Sequence, residues 1–145
     1  MTNNDRLRLI FHGSIVLLVG LLCGFPTVVE AIASVESVRV WHTAHEALIM
    51  MGIWMLAGSS VLPVLVLQRR EATALVWSLL LMGYGFMTAL VIGGVIGMTP
   101  FSPGGTPAAF TAFLGSVVGI FGAVMAAALT LMGARAALKA ARTDG

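Results

Sequence analysis

Four runs of about 20 or more mainly apolar residues recur along this chain, and each is long enough to cross a hydrocarbon core of about 30 Å. Lipid offers no hydrogen bonds, so a spanning segment must satisfy its own backbone. Runs of this length do so as helices. The composition agrees: 59% of residues are apolar and 10% are charged, whereas a soluble domain carries about a quarter charged residues. The expected fold is an all-α integral membrane protein, a four-transmembrane-helix bundle. Residues 1–145 form a single membrane domain, with spans near 9–33, 44–67, 72–98 and 108–138. The first run reads as a span rather than a cleaved signal peptide. It is too long, and it continues through Pro26 without an A-x-A cleavage site.

The net charge is +2, but the placement of charge says more than its total. Arg6 and Arg8 precede the first span, Arg69 and Arg70 separate the second from the third, and Arg135, Lys139 and Arg142 follow the fourth. Only Arg39 falls on the other side, so seven of the eight basic residues share one face. The positive-inside rule then places both termini in the cytoplasm. These residues report topology and contact with anionic lipid; they do not suggest a nucleic-acid site.

The outer side of spans one and two is the most polar part of the chain. It holds Glu30, a loop over 34–42 with Glu36 and Arg39, and the stretch Trp41-His42-Thr43-Ala44-His45-Glu46. Thr43 is placed to N-cap span two, with Glu46 three residues on to complete a capping box. On a helix, His42 and His45 share a face, and His45 shares one with Ile49, Gly52 and Leu56. Gly52 removes bulk near His45, which would let something flat lie against the helix. Two readings fit: an interfacial His-Trp belt without a ligand, or an ionisable cluster that marks a functional site. Spacing alone favours the belt.

Span one carries His12 near its cytoplasmic end, Gly20-x-x-x-Gly24 near its middle and Pro26, which is expected to kink it. The lone Cys23 is read as packing. Span two holds Met50, Met51 and Met55, read as adaptable packing. Tyr84, the only tyrosine, falls near mid-membrane in span three. A buried phenol needs a partner: a neighbouring helix carbonyl is the simpler one, a pocket the sharper one. Gly93, Gly94 and Gly97 in span three, and Gly115, Gly119 and Gly122 in span four, predict close helix packing. The uncharged loop over 99–107 is rich in proline and glycine and is placed to cap a site at the outer ends of the spans.

No charge sits at the centre of any span, which weighs against a proton pump or an ion-coupled transporter. No Ser-His-Asp arrangement, phosphate loop or H-E-x-x-H occurs. A zinc site needs about three or four ligands; His42 and His45 with Glu30 or Glu46 supply them only in principle. One histidine beside an apolar, glycine-relieved pocket suits haem better, since one neutral imidazole holds the iron and the protein supplies a dry surround. His12 and His45 are expected near opposite membrane faces, which disfavours a bis-His haem within one subunit.

His12-Gly13, Trp41-x-x-Ala44-His45, Val61-Leu62-Pro63 and Phe101-Ser102-Pro103 follow one another over nearly the whole chain. In their order and spacing the chain resembles the styrene oxide isomerases, small four-span membrane proteins of similar length. The resemblance implies a homotrimer in the bacterial inner membrane that binds ferric haem b near subunit contacts, with His45 as axial ligand. His42, Ile49, Met51 and Gly52 are the candidate residues beside the cofactor. It implies a Meinwald rearrangement: the iron polarises the oxygen of a small apolar epoxide, the benzylic C–O bond opens, and a hydride shift gives an aldehyde.

The chain departs from that family's pattern at three pocket positions. An asparagine, an aspartate and a tyrosine are replaced by Met51, Met82 and Leu90. Tyr84 is therefore only a weak catalytic candidate, about 9 Å along the helix from Leu90 by rise. Two rival readings stand beside the isomerase. One is a non-catalytic membrane haem protein for gas sensing, electron transfer or haem handling. The other is a structural or transport subunit without cofactor.

Overall fold

The computed structural model describes residues 3–28 and 35–143. Helix α1 spans Asn3–Leu22, and a short α2 spans Phe25–Val28. Helix α3 spans Val35–Val61 and ends in a 3-10 turn, Leu62–Val64. Helices α4 and α5 span Arg69–Ile96 and Pro107–Thr143. The described residues contain no strand, and four helical segments are long and apolar enough to cross a membrane. The protein is a multi-pass membrane bundle, as its apolar runs dictate.

Small residues set the packing. Helix α4 lies along α5, and α1 lies along α3. A Cβ added to Gly85 would lie 2.5 Å from the Gly119 nitrogen, and one added to Gly122 would lie 2.5 Å from the Met82 nitrogen. The α4 and α5 backbones therefore touch directly, as the stripe in span four predicts. In the other pair, a Cβ on Gly20 would lie 2.7 Å from the Ile49 nitrogen. The two pairs join where the Met55 sulfur fills the space above Gly83. Around that joint lies one apolar core, with Leu9, Val16, Leu48, Met55, Leu75 and Cys23 all buried.

The basic ends come together. Arg6 Nε donates to the Ser59 carbonyl at 3.2 Å, and Val66 N donates to the Gly133 carbonyl at 3.3 Å. The start of α1, the linker between α3 and α4, and the later part of α5 thus share one end of the bundle. Charge placement assigns that end to the cytoplasm. There Gln68 N donates to Glu71 Oε2 at 2.8 Å, which opens α4 with a side-chain cap.

Two local expectations change, and the kink expected at Pro26 is present as a helix break. The helix of α3 begins at Val35, so the part of the expected loop that is described, 35–42, is helical. Thr43 does not cap a helix: it lies inside α3, where its hydroxyl donates to the Arg39 carbonyl at 3.1 Å. Glu46 instead faces His42 one turn away, Nδ1 to Oε2 3.6 Å. The first span breaks at Cys23 and Gly24, just before Pro26, whose ring cannot continue the α1 ladder. At the outer end of α4 the glycines do varied work. Gly94 receives the Trp41 ring, Gly93 lies against Pro100 and the Met98 carbonyl, and Gly97 ends the helix at φ 66°. Glu30 and the end of the expected first span lie outside the described residues.

Candidate functional site

His45 points from α3 toward α1. Its Nδ1 lies 2.9 Å from the Gly20 carbonyl oxygen. A carbonyl only accepts, so Nδ1 carries the proton. In the neutral ring the lone pair then sits on Nε2. Gly24 makes room for this arrangement: a Cβ there would lie 2.8 Å from Nδ1 and 2.9 Å from Cε1. The Gly20-x-x-x-Gly24 pair thus seats an imidazole as well as a helix. The glycines and the histidine are each visible in the sequence, but their meeting across 25 positions is not.

The other residues of the outer cluster do not converge on His45. His42 is exposed and turned toward Glu46. The space left by Gly52 is taken by α1, because a Cβ there would lie 2.7 Å from the Leu17 Cβ. Ile49 is half-buried against Gly20. Met51 is partly buried against the apolar core, where Met82 and Leu90 are buried. The positions at which the resemblance expects polar pocket residues are therefore core. Among the described residues no group of three or more His, Cys, Asp or Glu is placed to hold a metal ion.

Tyr84 has a partner other than a helix carbonyl. Its hydroxyl lies 2.7 Å from His12 Nδ1. The pair lines a cavity of about 690 Å³ along α4, between α1 and α5. Sequence gave each residue singly, but a pairing across 72 positions needs the rotation of both helices. His12 also lies nearer His45 than opposite membrane faces imply. Gly20, which binds His45, is two turns beyond His12, or about 12 Å along α1.

A family model described as styrene oxide isomerase matches residues 5–138. The chain belongs to the styrene oxide isomerase family. No curated protein and no solved structure matches it. Styrene oxide isomerase membership makes an isomerase-type activity the expectation for this membrane bundle. A histidine that holds a metal usually donates its other ring N–H to a fixed acceptor. His45 makes such a bond, from Nδ1 to the Gly20 carbonyl. In this member of the family Met51, Met82 and Leu90 are apolar and belong to the core.

Proposed function

We propose that this protein is a haem b-dependent epoxide isomerase of the bacterial inner membrane, a homotrimer that converts a small apolar epoxide into an aldehyde. The observation that carries the reading is the bond from His45 Nδ1 to the Gly20 carbonyl. It orients the ring and leaves Nε2 as the nitrogen that would hold the haem iron. When bound, ferric haem supplies a Lewis acid for the epoxide oxygen. The chain itself positions the imidazole. His45 is held on α3 against the Gly20 carbonyl of α1, and Met51, Met82 and Leu90 belong to the apolar core and offer no polar group to a substrate.

Supplying styrene oxide to haem-loaded protein in mild detergent tests the reaction. Phenylacetaldehyde should form, and His45→Ala should lower its rate by about a hundredfold or more. Fully loaded protein that forms none would remove the isomerase part. One observation favours a second reading. The same three apolar side chains leave no polar group at the positions where the resemblance expects substrate contacts. A non-catalytic haem protein for gas sensing, electron transfer or haem handling fits such a wall. Reversible reduction with tight binding of a small gas, and no isomerisation, would select it.

A further inference from the structure

The crevice along α4 holds chemistry that the proposed reaction does not use. Its walls are apolar, with Trp77, Leu80, Leu81, Leu114 and Val118. From Val76 to Thr88 it follows α4 for about 18 Å by helix rise. Its volume of about 690 Å³ is within the ordinary range of small-molecule sites. The pair of His12 and Tyr84 stands on its wall, and neither ring makes another hydrogen bond among the described residues.

Proton counting fixes what this pair offers. If the Tyr84 hydroxyl donates to His12 Nδ1, the neutral imidazole keeps its proton on Nε2. If Nδ1–H donates to the phenol oxygen, the phenol proton is left unspent. Either way, one N–H or O–H donor remains. The side chains around it on α4 and α5 are mainly apolar. Apolar walls with one spare donor select an apolar molecule that brings one acceptor oxygen.

We propose that this crevice is a second ligand site, which takes from the lipid phase a neutral apolar molecule with a single hydrogen-bond-accepting oxygen, such as an aryl ketone, and holds that oxygen on the His12–Tyr84 pair. The site is separate from His45 and does not rest on the haem reading. Arg8 is exposed at one end of the crevice, one turn from His12. An anionic amphiphile would use Arg8; a neutral oxygen has no need of it, and a charge at membrane depth is costly.

Photolabelling of the full chain in mild detergent with benzophenone, an apolar aryl ketone that inserts into nearby C–H bonds, tests the site. Mass spectrometry should find adducts concentrated in segments 77–88 and 111–118. The double variant His12→Phe/Tyr84→Phe has no spare donor, and its labelling there should fall about fivefold. Each single variant keeps one donor and should lose less. Leu114→Trp should also lower labelling by filling the crevice, and Leu114 is 45% exposed, so the fold tolerates the change. Arg8→Ala should leave labelling unchanged. Adducts spread evenly over all four spans, or labelling that the double variant does not alter, would overturn the proposal. So would a crevice left unlabelled because a second copy covers it. Loss of labelling in Arg8→Ala, or stronger competition by a fatty carboxylate than by a ketone of equal size, would overturn the neutral-oxygen assignment.

Discussion

His45 on α3 and Gly20 on α1 are joined by a 2.9 Å hydrogen bond from ring to backbone, across 25 positions of sequence. The bond depends on a missing side chain, because Gly24 leaves the space in which the ring edge lies. Gly24→Val should therefore push the imidazole off the Gly20 carbonyl. Haem affinity is expected to fall by about 10- to 100-fold, the usual range for losing an outer partner of a metal-bound histidine. Haem titration followed at the Soret band measures this. Unchanged affinity would mean that the Gly20 bond does not orient the ligand.

The α4–α5 contact predicts a sharp contrast between two glycines. Gly85→Val places a side chain where the Gly119 backbone lies 2.5 Å away, so the helices must separate. Overpacking of this kind costs about 1–3 kcal/mol. Gly105→Ala meets nothing within 4 Å and should stay within about 0.5 kcal/mol. Unfolding of both variants in mixed micelles gives the comparison, and equal stability would contradict the packing described.

Met51→Asn introduces a side-chain amide, whose N–H groups donate, at a half-buried position against the apolar core. If the chain isomerises epoxides, a donor that meets the oxygen as charge develops should raise the rate by about tenfold or more, since removing such a donor elsewhere costs about 100- to 1,000-fold. Rates on styrene oxide for the two proteins, each loaded with haem, decide it. A slower variant would show that the apolar wall is itself what the reaction needs.

The spans were legible because length and hydropathy alone dictate them, and the Gly115, Gly119 and Gly122 stripe foretold its own burial. The start of α3 was not legible. The stretch to His42 read as loop, yet a helix beyond the hydrocarbon can carry polar side chains, as where the Thr43 hydroxyl donates to the Arg39 carbonyl and His42 faces Glu46 one turn on. The partners of His45 and Tyr84 were hidden for another reason. Helices apolar on every side give no periodic stripe from which to read their rotation. Gly52 was misleading in the same way: its missing bulk admits Leu17 of α1.

In the proposed function His45 holds a haem through Nε2. The ultraviolet-visible spectrum of the full-length protein in mild detergent, supplied with haem and recorded beside His45→Ala, tests it most directly. The parent protein should show a strong Soret band and the variant should lose it, with helical content by circular dichroism unchanged. No Soret band in the parent, or the same band in both proteins, would contradict it.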